Sequence, residues 1–243
     1  MQNNDLNRKQ EEIEHYYDEY VKRQAHVGTN RRHYSIIEKL KLAGLKPTDQ
    51  VLEIGCGIGT LSGLLIKLLP KGTLLSMDIS NASISYAKDT YQHHHNLNFI
   101  HADASDYDFG SQIYQAIVLP DVLEHIPLAL HSRLFAKLSQ VLHPDGFMFI
   151  HIPNPYYLKW CHDNRPDLLQ IIDQPITTDL LVANTYPHGF YIEKLVSYAI
   201  WVQAHDYQYI IMRKNGWQDF SKSIQEPLSL FEKLKYKWNE WRR

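Results

Sequence analysis

The run Val51-Leu52-Glu53-Ile54-Gly55-Cys56-Gly57-Ile58-Gly59-Thr60 decides how this chain is read. VLEI is a short buried-strand pattern, the glycines at 55, 57 and 59 punctuate it, and Leu61 to Leu69 reads as a helix ended by Pro70 and Gly72. Strand, glycine turn and helix together open a parallel α/β sheet. Glycine has no Cβ, so such a turn bends sharply and leaves main-chain N–H groups open to a ligand. In a doubly wound sheet, ligands bind at this end of the strands. The spacing is G-x-G-x-G, and Thr60 stands where the last glycine of a dinucleotide G-x-G-x-x-G fingerprint would fall. Glu53, opening the loop, also argues against two phosphates nearby.

Outward from this run the alternation repeats. TLLSMDIS reads as a strand, Ala82 to Tyr91 as a helix, and LNFIHAD and QAIVLPD as strands. A helix carrying Leu134, Leu138, Val141 and Leu142 follows, closed by HPDG, and GFMFIHIPN is another strand. Five strands are thus expected at about 51–54, 74–78, 97–101, 115–119 and 146–152. Residues 155–176 carry Pro155, Pro166 and Pro175 without a clean period and read as an insert. Thr178 to Tyr186 reads as a last helix, and FYIEKLVSYAIW with YQYIIMRK as a hairpin turning near His205-Asp206. The expected fold is α/β, a doubly wound Rossmann-like seven-stranded sheet. It is mostly parallel with an antiparallel last strand, and carries N-terminal helices and an insert after the fifth strand.

Composition narrows the class. The chain is 44% hydrophobic and 21% charged with a formal net charge of -2, the profile of a globular protein with no global attraction to nucleic acid. Cys56 and Cys161 cannot form a disulfide framework, the N-terminal sequence lacks the apolar core of a secretory signal, and no run of 18 apolar residues occurs. A cytoplasmic protein without a transmembrane segment is expected.

Acids recur at the ends of successive strands: Asp78, 23 residues after Gly55, then Asp103 and Asp121. Asp78 is placed to accept hydrogen bonds from both hydroxyls of a ribose. Over about residues 50 to 212 the set resembles the class I S-adenosylmethionine-dependent methyltransferases. The resemblance implies S-adenosyl-L-methionine as cofactor, with Glu53, Gly55, Cys56, Gly57 and Gly59 around its methionine part. It puts Asp78 on the ribose, Ile79 against adenine and Asp103 and Ala104 at the adenine amino edge. Leu119, Asp121 and Val122 fall in the loop beside the sulfonium. HPDGFMFIHIPN resembles the family's L-x-P-G-G turn and fifth strand, with Asp145 in place of the first glycine.

The expected organisation is a helical cap over 1–46, a methyltransferase domain over 47–154 and 177–214, an insert near the acceptor site over 155–176, and a C-terminal helical extension over 215–243. Its FEKLKYKWNEWRR reads as a helix packing its aromatics on the domain. Six residues or groups also bear on chemistry. His125, four residues after Asp121, is a candidate to accept a proton from substrate, and Tyr17, on a helix from about 5 to 26, a candidate to line the pocket. Cys56 has no base arranged beside it and is not read as a nucleophile, and His93-His94-His95 reads as a solvated turn, so no metal site is expected. Arg31, Arg32 and His33 read as a solvated helix face or, alternatively, as cations for the cofactor carboxylate. Asn154-Pro155-Tyr156-Tyr157 resembles the N-P-P-Y loop of DNA amino-methyltransferases, but that loop follows the fourth strand and this one the fifth. His151, Asn154, Tyr156 and Tyr157 are therefore candidates for the wall of the acceptor site. The expected reaction is methyl transfer to a nitrogen or oxygen of a small-molecule acceptor by in-line displacement. The rivals are methylation of a protein or nucleic acid, and a non-catalytic cofactor-binding subunit. A homodimer is the expected assembly, with no nucleic-acid partner.

Overall fold

The structure, a computed structural model, describes residues 24–214 together with 21 and 229. A seven-stranded sheet in the order β3-β2-β1-β4-β5-β7-β6 organises them. Its strands are β1 (Gln50–Ile54), β2 (Thr73–Asp78), β3 (Leu97–His101), β4 (Tyr114–Pro120), β5 (Leu142–Pro153), β6 (Phe190–Tyr198) and β7 (Tyr207–Lys214). β1 to β5 pair in parallel, and β7 lies antiparallel to both β5 and β6. Strand order reverses between β1 and β4, which leaves a crevice beyond their carboxyl ends.

The helices are α1 (Arg31–Leu42), α2 (Ser62–Leu65), α3 (Asn81–Tyr91), α4 (Leu128–Val141), α5 (Pro155–Asn164) and α6 (Thr178–Thr185). Strand side chains alternate between two cores, as the two-residue pleat requires. Leu52, Ile117, Leu119, Met148 and Ile150 pack with Leu134, Phe135 and Leu138 of α4 and Leu181 of α6. Val51, Ala116, Val118, Phe147 and Phe149 pack with Ile36 and Leu40 of α1, Leu65 of α2 and Ile84 of α3. Strands buried on both faces read as unbroken apolar runs, which is why VLEI and QAIVL stood out.

Three local expectations change. The helix predicted over Leu61 to Leu69 is a short α2 followed by a 3-10 turn, Ile66–Leu68. The HPDG turn is part of β5, where the register against β4 jumps from Tyr114↔Leu142 to Ala116↔Phe147. A bulge absorbs the extra residues while the strand continues. The insert is more ordered than its prolines suggested: Pro155 sits at the first turn of α5, where its missing N–H costs nothing, and Asn154 caps it by accepting from Tyr156 N. The hairpin turns at His205, whose φ is 55°. Among the described residues no helix is long and apolar enough to cross a membrane. Tyr16, Tyr17, most of the 5–26 helix and the C-terminal extension, apart from Ser229, lie outside the described residues.

Candidate functional site

The glycine loop is fastened to β2. Gly55 N and Cys56 N both donate to the Met77 carbonyl, at 2.8 and 3.0 Å, and Gly57 N donates to Asp78 Oδ2 at 2.7 Å. Asp78 Oδ1 accepts from Ser80 N at 2.9 Å, so the carboxylate holds two loops while keeping acceptor capacity for a ligand. Desolvation raises its pKa, and the Ser80 and Gly57 bonds work against that rise. Gly59, with φ 81°, serves packing: a Cβ there would come within 2.8 Å of the Tyr91 ring. Beneath the loop, Glu53 is fully buried. Its Oε2 accepts from Ser62 Oγ at 2.5 Å and Ser76 Oγ at 2.6 Å, while Oε1 is buried with no partner. Burial pushes this carboxyl up to about 7 against the opposing pull of the two serines.

A cavity of about 260 Å³ opens above these groups at the carboxyl ends of β1 to β4. Glu53, Gly55, Cys56 and Gly57 line it from the glycine loop, and Asp78 and Ile79 from the end of β2. Asp103 and Ala104 line it after β3, and Asp121, Val122 and His125 after β4. Gly59 and Leu119 are not among its lining residues; Leu119 is a fully buried core residue. The Cys56 thiol is buried and raised well above the ordinary range by desolvation, in keeping with a packing role. Among the described residues no group of three potential ligands gathers to hold a metal ion.

Asp121 follows β4 with φ 53°, a left-handed conformation that aspartate tolerates better than most residues. Its N–H donates to the His151 carbonyl at 2.8 Å. Its Oδ1 lies 2.6 Å from His151 Nδ1 and its Oδ2 3.1 Å from Arg32 Nη1. Burial alone would raise this acid, but Arg32 and His151 outweigh it and hold it down at about 2. The solvated-face reading of Arg31, Arg32 and His33 therefore holds for exposed Arg31 alone. Arg32 lines the cavity, and His33 is buried, its ring accepting from Asn30 N at 3.2 Å while burial, with Arg32 adding to it, lowers its pKa to about 4. A signal for Arg32 was present in the sequence. Cations in the first turn oppose the helix dipole, so two arginines there point to a nearby anion.

His125 Nδ1 lies 2.5 Å from the Ile172 carbonyl and 3.3 Å from Asp173 Oδ1, which ties the β4 loop to the insert. Desolvation lowers its pKa, opposed by Asp173. Neighbouring Glu124 is buried and driven well upward, first by burial and then by Asp121. Gln24 and Gln170 also line the cavity, each with a buried Oε1 that has no partner, and neither stood out in the sequence. Long-range placement brings them in: one precedes α1, the other belongs to the insert.

The four candidate wall residues are not brought to the cavity. His151 is fully buried, with Nε2 2.7 Å from the Tyr198 hydroxyl and its ring stacked on Tyr207 at 5.0 Å. Asn154 caps α5, Tyr156 is 77% exposed, and Tyr157 stacks on Trp160. His151 lies within β5 and the other three at the start of α5, and none is among the cavity's lining residues.

A seven-stranded sheet with one antiparallel strand inserted between β5 and β6, a glycine loop after β1 and acids after β2, β3 and β4 make up an α/β domain with its cavity at the carboxyl ends of the parallel strands. Residues 51–146 match the family model of a methyltransferase domain. The chain is 33% identical over 94 residues to a malonyl-[acyl-carrier protein] O-methyltransferase of Ilyobacter polytropus, a match covering 38% of this chain and 32% of that protein. It is 32% identical over 108 residues to a trans-aconitate 2-methyltransferase of Deinococcus radiodurans, covering 44% and 39%. The match thus spans less than two thirds of these relatives' length. Among solved structures, an S-adenosylmethionine-dependent methyltransferase of Clostridium acetobutylicum superposes with a TM-score of 0.62 at 16% identity, covering 81% of this chain and 96% of that one. The magnesium protoporphyrin IX methyltransferase of Synechocystis with bound SAH gives 0.59 at 18% identity, covering 75% and 81%.

Proposed function

We propose that this chain transfers a methyl group from S-adenosylmethionine to a nitrogen or oxygen of a small-molecule acceptor by in-line displacement. The supporting observation is a cavity lined by two fixed carboxylates, Asp78 bound by the glycine loop and Asp121 bound by Arg32 and His151. The residues present suit the cofactor. Asp78 has lone pairs left for ribose hydroxyls, Ile79 and Ala104 offer apolar surface to a purine, and the unpartnered oxygens of Glu53 and Gln24 can accept from an ammonium group. When bound, S-adenosylmethionine supplies a methyl group activated by its sulfonium leaving group. The chain's own contribution is positioning, holding an acceptor about 3 Å from the carbon under attack with its lone pair aligned. His125 is the group in this reading that receives a proton from the acceptor, and Tyr17 a further candidate for the pocket wall. The relatives named for malonyl-carrier and trans-aconitate methylation support a small acceptor.

Calorimetric titration with S-adenosylhomocysteine and a methyl-label transfer assay against fractionated extract test the proposal. Binding with label incorporated is expected. Binding without consumption of cofactor would favour the cofactor-binding subunit, and absence of binding would remove the reading.

A further inference from the structure

Asp121 is held from every side. Arg32 meets one oxygen, His151 the other, and the backbone N–H is bonded to the His151 carbonyl. A carboxylate only accepts, so His151 Nδ1 carries the proton of that bond. Behind His151 the contacts continue without a gap: Nε2 to the Tyr198 hydroxyl at 2.7 Å, Ser35 Oγ donating to that hydroxyl at 3.0 Å, and Lys39 Nζ donating to Ser35 Oγ at 2.7 Å. Lys39 also sits over the Tyr198 ring at 3.9 Å. This file of donors runs from α1 across β6 and β5 to the cavity and ends on one carboxylate, which it favours as an anion.

Acids outnumber lysines and arginines among the described lining residues of the cavity. Arg32 is the only lysine or arginine among the described lining residues; its Nη1 meets Asp121, and its buried Nε has no hydrogen-bond partner. Asp78 and Asp103 add negative charge on the cofactor side. A carboxylate acceptor would enter a cavity in which Asp78, Asp103 and Asp121 outnumber a single guanidinium. An uncharged nitrogen meets the opposite situation, since it gains positive charge as it is methylated, and a fixed anion stabilises charge that develops in the transition state.

We propose that Asp121, fixed by Arg32 and by the His151–Tyr198 file, selects an uncharged amine nitrogen as the acceptor. The inference rests on the methyl-transfer reading above and narrows it. The nitrogen lone pair forms the N–C bond as the C–S bond breaks, the electron pair of that bond goes to sulfur, and the positive charge moves from sulfur to nitrogen. The methylated nitrogen then sheds a proton to His125, and Asp121 remains ionised throughout. His151 and Tyr198 are positioning residues that act through Asp121.

Two probes of equal ring and opposite charge test this on the full chain saturated with S-adenosylhomocysteine. Phenyltrimethylammonium is expected to bind at least about tenfold more tightly than benzoate. Asp121→Asn, whose side chain also tolerates a left-handed backbone, is expected to erase that preference. Tyr198→Phe leaves the cavity's own side chains in place and lowers the preference roughly threefold, which covers a failure of Asp121→Asn to fold. Methyl label from extract is expected in products retained by a cation exchanger. Tighter binding of benzoate, an unchanged preference in both variants, or label confined to esters overturns the inference while leaving methyl transfer standing. Absence of S-adenosylhomocysteine binding by the unaltered chain overturns both.

Discussion

At the scale of single residues, Asp78 and Glu53 have separable consequences. Asp78 accepts charge-assisted bonds from Gly57 N and Ser80 N and lines the cavity, so its removal affects both loop and ligand. Asp78→Ala is expected to weaken S-adenosylhomocysteine binding by about a hundredfold in calorimetry, the loss of two charge-assisted bonds to ribose hydroxyls at about 1.5 kcal/mol each. Glu53 affects stability instead. Its carboxyl is raised from 4.5 to about 7 by burial, so the folded form holds the proton more tightly than the unfolded form does. Below pH 4.5 both forms are protonated and no difference arises; between 4.5 and about 7 the unfolded carboxyl ionises first, and stability falls as pH rises. The integrated loss is about 3 kcal/mol above that window, an order of magnitude from 1.36 kcal/mol per pKa unit. Glu53→Gln retains an oxygen for Ser62 and Ser76 and removes the titration. Urea unfolding at pH 5 and pH 8 is expected to show a smaller difference in the variant than in the unaltered chain.

At the scale of elements, two turns depend on contacts that no local pattern carries. Asp206 is fully buried, and its two oxygens accept from Ile200 N at 2.8 Å and Trp201 N at 3.0 Å. Its carbonyl accepts from Asn154 N at 2.8 Å, which joins the β6–β7 hairpin to the start of α5. Asp206→Ala leaves the buried Ile200 N–H and the part-buried Trp201 N–H without their partner and is expected to cost about 2–4 kcal/mol, read as a lower urea midpoint. Gly59→Ala tests the glycine loop as an element. It combines a left-handed φ of 81° with a Cβ pressed to 2.8 Å from Tyr91, and an expected cost of about 2–4 kcal/mol. The strand–loop–helix identity of this segment was legible from spacing. The division of labour within it was not, because Gly57 turns its N–H to Asp78 whereas Gly59 packs against α3. Likewise Asn154 and Tyr156 were rightly placed at the end of β5, but the chain enters α5 there and directs them elsewhere.

At the scale of the whole molecule, the cavity draws on the loops after four strands, on α1 and the residues before it, and on the insert. A ligand that joins these segments stabilises the fold by mass action. S-adenosylhomocysteine at a hundred times its dissociation constant is expected to add about 2.7 kcal/mol to the free energy of unfolding and so raise Tm in a thermal melt.

By itself the sequence determined the alternation of strands and helices, the seven-stranded sheet and the carboxylates Asp78, Asp103 and Asp121 at strand ends. Those features follow from local periodicity and from glycine and proline punctuation, which a linear pattern carries in full. Tertiary structure alone decided that Arg32 pairs with Asp121, that His151 lies behind the cavity and not on its wall, and that Gln24 and Gln170 face the same space. Each of these is a contact between segments far apart in the chain, fixed by how α1, β5 and the insert pack around the sheet. No spacing along the sequence encodes which charges that packing brings together.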